Sequence, residues 1–238
     1  MRARFRSLKV ANAIVLAAGS LVRLAAPANA QPGEVPYVPG PQLVAISNHI
    51  AAGLVWVDVR IRFPDTCERL GDWGTPIQTL PTITVNSTCW YRPYGVCAFV
   101  IVSTNHSYQL GYLAPGNYQF VFGAWGQAVA TNAFTVPGTD SDGDGMPDYQ
   151  EGIAGTDPCN ANSVLRVIGY KLEGAQARIA WQGGTNARQY VERRTKLNNT
   201  NTPWLCVFTN HPPTSVTNAW TDPVGANAAR FYRIRVGR

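Results

Sequence analysis

Between Ala52 and Phe63 the sequence AGLVWVDVRIRF alternates with a period of two. Val55, Val57, Val59, Ile61 and Phe63 fall on one face, and Trp56, Asp58, Arg60 and Arg62 on the other. A strand is the only regular element that sorts this pattern into a dry face and a wet face. Further strand-like runs follow the same composition: LVAIS, TITV, VCAFVIVST, YQFVFGAW and AVATNAFTV, separated by Gly, Pro and Asn. No stretch carries a convincing helical period. Many short strands between turn signals predict antiparallel layers packed as a sandwich.

The C-terminal part repeats the theme. ARIAWQGG, RQYVERRTKL, WLCVFTN, SVTNAWTDP and RFYRIRV are short segments rich in Val, Ile, Tyr and Trp. The fold class expected is all-β, with two small sandwich-like domains joined by a loop and a short helix.

Two resemblances refine this. LAPGNYQFVF resembles the L-x-P-G-x-Y approach to a late strand of immunoglobulin-like sandwiches. That resemblance implies that the Tyr118 hydroxyl ties back to nearby backbone. It also implies that YQFVFGAW and AVATNAFTV form the last hairpin. Tyr190-Val-Glu-Arg, Trp204 and Phe231-Tyr-Arg-Ile-Arg-Val resemble strands of the fibronectin type III-like domains that end many secreted bacterial proteins.

The N-terminus reads as an export signal. MRARFRSLK is basic, VANAIVLAAGSLV is apolar, and RLAAPANA ends in small residues. The apolar run falls short of the roughly 20 residues needed to span a bilayer. Cleavage is expected after Ala30, which leaves no transmembrane segment in the mature chain. Five basic residues and no acid precede that point, so of 20 basic and 14 acidic groups the mature chain keeps 15 and 14, net +1. Net charge therefore gives no support to nucleic-acid binding.

Charge is unevenly distributed along that mature chain. Residues 31–139 carry four basic and five acidic groups, residues 140–162 six acids and no base, and residues 163–238 eleven basic and three acidic groups. The expected organisation is a signal over 1–30, an immunoglobulin-like domain over 31–138, a connector over 139–162 and a fibronectin type III-like domain over 163–238.

The connector contains DSDGDGMPDYQE, with five carboxylates in twelve residues. It fits the calcium-loop spacing D-x-[DN]-x-[DN]-G-x5-E. Asp140, Asp142 and Asp144 take positions 1, 3 and 5, and Gly145 takes the turn at position 6. Met146 offers a backbone carbonyl at position 7, Asp148 takes position 9, and Glu151 supplies the bidentate carboxylate at position 12. Ca²⁺ prefers six to eight hard oxygens, and this order supplies them. The loop differs from a paired EF-hand. A strand and turn precede it, there is one loop, and Pro147 at position 8 has no N–H to give a sister loop. DYQEGIAG suits a short exiting helix stopped at Gly155.

The run from Asp140 to Glu151, followed by Gly155-Thr-Asp-Pro, resembles the thrombospondin type 3-like calcium repeat of secreted bacterial proteins. That resemblance implies a calcium ion held in a rigid connector between β domains. Asp157 is expected either to join the site or to form a turn.

Five cysteines lie in the exported part: Cys67, Cys89, Cys97, Cys159 and Cys206. Export into an oxidising compartment predicts at least one disulfide, and an odd count leaves one cysteine over. Cys89–Cys97 is the first expectation and Cys159–Cys206 the second. Cys89 and Cys97 flank WYRPYGV, whose Trp90, Tyr91, Arg92 and Tyr94 are candidates for stacking on a sugar or gripping a protein partner.

Catalysis finds little support in the sequence. His49, His106 and His211 lie far apart, and no G-x-S-x-G or H-E-x-x-H motif occurs. The expected function is a secreted, non-catalytic, calcium-binding structural or adhesion protein of the extracellular space or cell envelope. Its partners would be calcium and an extracellular glycan or cell-surface protein. A carbohydrate-binding module using Trp90 to Tyr94 is the alternative, and a dockerin-like docking module ranks below it.

Overall fold

The computed structural model describes residues 29–197, 202–223 and 229–237. Most of the expected export signal, residues 1–28, lies outside the described residues.

Among the described residues the chain is all-β apart from one short helix and a 3-10 turn at Pro41–Leu43. Nine strands come first: β1 (Val35–Tyr37), β2 (Val44–Ala51), β3 (Leu54–Phe63), β4 (Glu68–Asp72), β5 (Ile77–Thr79), β6 (Thr82–Tyr91), β7 (Val102–Tyr112), β8 (Gly116–Ala124) and β9 (Gln127–Val136). They form two layers. One is β2-β3-β7; the other is β1-β6-β8-β9, with β4 and β5 also paired to β6. The alternation of β3 is realised residue by residue. Val55, Val57, Val59, Ile61 and Phe63 are buried, while Trp56, Asp58, Arg60 and Arg62 are not. They pack against Ile83, Val85, Phe120 and Phe122 from the opposite layer. Sealing one face of each layer supplies the hydrophobic driving force.

β8 and β9 form the antiparallel hairpin. The Tyr118 hydroxyl donates to the Ala114 carbonyl at 2.8 Å, four residues upstream, as the L-x-P-G-x-Y pattern implies. β8 pairs with β6 in parallel, from Thr82↔Gln119 to Ser87↔Ala124, which local sequence does not reveal. VCAFVIVST is only partly a strand. β7 begins at Val102, and residues 98–101 run exposed outside the ladder. Thr66 holds this segment instead, its N–H donating to the Ala98 carbonyl at 3.2 Å and its hydroxyl accepting from the Ala98 N–H at 2.9 Å.

The disulfide joins Cys67 to Cys97, not Cys89 to Cys97. Cys89 sits on the inward face of β6, fully buried in the sandwich core. Cys159 and Cys206 are both free and exposed, so the second expected bridge is absent as well.

After the connector come β10 (Arg166–Glu173), β11 (Gln176–Gln182), β12 (Arg188–Arg194), β13 (Leu205–Asn210), β14 (Thr217–Pro223) and β15 (Phe231–Gly237). They make two three-stranded sheets, β10-β11-β14 and β13-β12-β15. β10 escaped the sequence reading because a bulge between Val167 and Gly169 breaks its period and nearly every residue is exposed. Ala177, Ile179, Trp181 and Val191 form a second buried cluster, separate from the first. Within it the Trp181 indole donates to Gln189 Oε1 at 2.7 Å, and Gln189 Nε2 donates to the Gly184 carbonyl at 2.8 Å. A fully buried amide is tolerated there because both its ends are hydrogen-bonded. Among the described residues no helix is long and apolar enough to cross a membrane.

Candidate metal centre

The loop that follows β9 is shaped by its own carboxylates. Asp140 accepts from the N–H groups of Gly143 at 2.9 Å and Gly145 at 3.0 Å. Asp142 accepts from the Asp144 N–H at 3.2 Å, and Asp144 from the Met146 N–H at 2.7 Å. Each aspartate thereby closes a small turn, and Asp142 and Asp144 each keep a second oxygen for other use. Gly145 has φ of 93°, a left-handed value that the turn at position 6 demands and that a side chain would strain.

Asp140, Asp142 and Asp144 converge: each offers a carboxylate oxygen within 4.8 Å of the others. Asp142 Oδ2 and Asp144 Oδ2 are buried and have no protein hydrogen-bond partner. Glu151 comes from α1 (Asp148–Ala154), one turn into the helix, and is fully buried. Its Oε1 accepts from the Thr156 hydroxyl at 3.2 Å, while its Oε2 is a third buried oxygen with no protein partner. Three orphaned carboxyl oxygens in one small region are costly unless a cation completes them.

The electrostatics agree. Burial pushes the Glu151 carboxyl up to about 7. The Thr156 hydrogen bond opposes the rise, and the negative charges of Asp142, Asp144 and Asp148 add to it. A group of hard, crowded carboxylate oxygens with no nitrogen or sulfur among them fits Ca²⁺. Asp140, Asp142, Asp144 and Glu151 would hold the ion through side chains.

Met146 is half-buried beside the loop and gives its N–H to Asp144. Asp148 lies differently from the three converging aspartates. It is nearly buried, and its carboxylate accepts from the Ser141 N–H at 2.8 Å and the Ser141 hydroxyl at 2.7 Å. It braces the loop against the first turn of α1. Asp157 forms a turn, its Oδ1 accepting from the Cys159 N–H at 3.1 Å.

The helix is wedged between the two β units. A Cβ added at Gly53, in the β2–β3 turn, would lie 2.7 Å from the backbone of Asp148 and Tyr149. A Cβ at Gly152 would overlap the ring of Tyr112, the last residue of β7. On the other side, a Cβ at Gly184 would collide with the carbonyls of Ala154 and Gly155. Gly155 ends the helix at φ 71° and ψ 24°, the left-handed stop expected there. The convergence of Asp140, Asp142 and Asp144 is legible in the sequence because their spacing is local. The sequence does not single out Gly53, Tyr112 and Gly184, whose role appears only when distant segments meet.

The aromatic loop is not one platform. Trp90 is buried, edge-on to Trp125 with ring centroids 4.8 Å apart, and belongs to the sandwich. Tyr91 is half-buried against Tyr37 at 6.3 Å. Arg92 is exposed and donates to the Gln31 side chain at 2.8 Å, and Tyr94 stands far into solvent.

Comparison with known families gives two matches. Residues 57–136 match the ORF11 beta-sandwich domain, from within β3 to the end of β9. Residues 140–161 match the bacterial TSP3 repeat. No curated protein matches the chain. The chain is thus similar to a known β-sandwich family over most of its first unit, and to a calcium-binding type of repeat over its connector.

Proposed function

We propose that this is an exported, non-catalytic protein of structural or adhesive role, in which calcium stiffens the connector between an immunoglobulin-like and a fibronectin type III-like domain. The observation that carries the reading is Glu151. Its buried, partnerless Oε2 lies on the helix that touches both β units. An ion that binds Glu151 and the three aspartates ties the first half of the loop to that helix. It thereby limits how the two units move. The bacterial TSP3 match over residues 140–161 supports the same assignment.

His49 and Ser107 both hydrogen-bond Asp58 on the outer face of the first sheet. The carboxylate stands between hydroxyl and imidazole, so the imidazole is not placed to take the hydroxyl proton. The burial of Trp90 weakens the alternative of sugar binding at the aromatic loop.

Limited proteolysis and small-angle scattering, with calcium and with chelator, test the proposal. Chelation should open cleavage between Gly138 and Gly155 and broaden the shape distribution while both β units stay folded. An affinity on the order of 10⁻⁴–10⁻³ M is expected, as for extracellular modules. No response to millimolar calcium would refute it.

A further inference from the structure

The outward face of the β13-β12-β15 sheet is built from arginines and aromatic rings. Alternation on β12 places Arg188, Tyr190, Glu192 and Arg194 on that face, and the register sets Tyr190 opposite Arg235 and Glu192 opposite Arg233. The Arg235 guanidinium lies over the Tyr190 ring at 4.2 Å. The Arg233 and Arg194 guanidinium groups lie over the Trp204 ring at 4.5 and 5.9 Å. Arg233 and Arg235 also bond the two oxygens of Glu192, each at 2.7 Å.

The charge on this face is unbalanced. Glu192 is nearly buried beneath its two arginines, whose side chains remain 46% and 48% exposed. The unit's other acids are engaged elsewhere. Asp222 is buried under Arg193 and Arg230, and Glu173 pairs with Lys171 on the opposite sheet. Four guanidinium groups against one buried carboxylate leave the face strongly positive.

Stacking and the Glu192 bonds hold Arg233 and Arg235 in place, so little side-chain freedom is lost when a ligand binds. Residues two apart on a strand are separated by about 7 Å, which spreads the charges along an elongated surface. Planar guanidinium groups pair well with carboxylate and sulfate oxygens. We propose that this face binds a linear acidic polysaccharide, held by Arg188, Arg194, Arg233 and Arg235. This deepens the adhesive reading by naming its partner class. Connector proteolysis tests that reading, whereas polymer binding at fixed calcium tests this face.

The experiment is calorimetric titration of the full mature chain with polygalacturonate and with dextran sulfate. Neutral dextran and anionic phospholipid vesicles are run alongside. At least one acidic polymer should bind, with affinity that falls as salt rises. Arg188→Gln leaves the Glu192 pairs intact and should weaken binding by about two- to fivefold. Arg178→Gln, on β11 of the other sheet, changes net charge equally and should leave binding unchanged. The proposal is overturned if neither acidic polymer binds at physiological salt, or if neutral dextran binds as well. Equal losses in both variants would overturn it too, as would binding to the vesicles alone.

Discussion

Gly152 of the connector helix lies so close to the ring of Tyr112 that no methyl group fits between them. A helix of seven residues has little stability of its own, so this contact and the one at Gly184 hold it in place. Gly152→Ala should force the two apart, at about 1–3 kcal/mol, as overpacking does. Cleavage between Gly138 and Gly155 should then occur even in saturating calcium. Loss of protection without loss of the β signal in circular dichroism is the expected result.

Glu151→Gln separates charge from shape. It keeps the side chain's volume and can still accept from Thr156, but it removes a proposed ligand charge. The calcium-free protein should tolerate it, because burial already favours the neutral form of Glu151. Calcium affinity should fall by at least about tenfold, the equivalent of 1.4 kcal/mol. Asp144→Ala should fall similarly, and Asp157→Ala much less, since Asp157 serves a turn. Isothermal calorimetry reads all three.

The disulfide has a definite location and a definite worth. Non-reducing peptide mapping should link Cys67 to Cys97. Native alkylation should label Cys159 and Cys206 but spare Cys89 until the chain unfolds. Closing a loop of 30 residues corresponds to about 3–4 kcal/mol in the chain-entropy view. Cys67→Ser/Cys97→Ser should lower the unfolding midpoint of the first unit and leave the second unchanged.

Acid should act on the second unit through Asp222 and Glu192. Asp222 accepts from Arg193 at 2.8 and 2.9 Å, from Arg230 at 2.8 Å and from the Tyr232 hydroxyl at 2.7 Å. Burial acts to raise both carboxyls, but their arginine partners outweigh it and hold them below their ordinary values. A carboxyl depressed in the folded state stabilises the fold fully above its unfolded pKa. That contribution is lost as pH falls through the folded value. Resistance of the second unit to chemical denaturation should therefore weaken on acidification below about pH 4.5. Asp222→Ala should cost about 3–5 kcal/mol at neutral pH, because it strands two guanidinium groups.

Legibility followed sequence distance. The faces of β3 and the Tyr118 tie are set by neighbours within a few residues, and both were readable. So was the cluster of Asp140, Asp142 and Asp144. Cys97 pairs with a partner 30 residues away, chosen by which face of β6 Cys89 occupies, and spacing alone pointed to the wrong sulfur. Trp90 looked like a loop aromatic because β6 was expected to end before it. The strand continues to Tyr91, and Trp125 covers the ring. The Arg–aromatic face of β12 and β15 joins residues more than 40 apart, so no local pattern announced it.

The helix wedge also gives the molecule two routes for mechanical load. Tension between the units passes along the covalent chain from β9 through the loop, but the helix is separately seated on Tyr112 and Gly53. While that seat holds, it shares the load with the loop. Once it shears, residues 140–147 can pay out roughly 26–29 Å of chain. A calcium ion bridging Asp140, Asp142 and Asp144 to Glu151 would lock that slack, so a pulled molecule would lengthen in a step set by calcium rather than by the rupture of either sandwich.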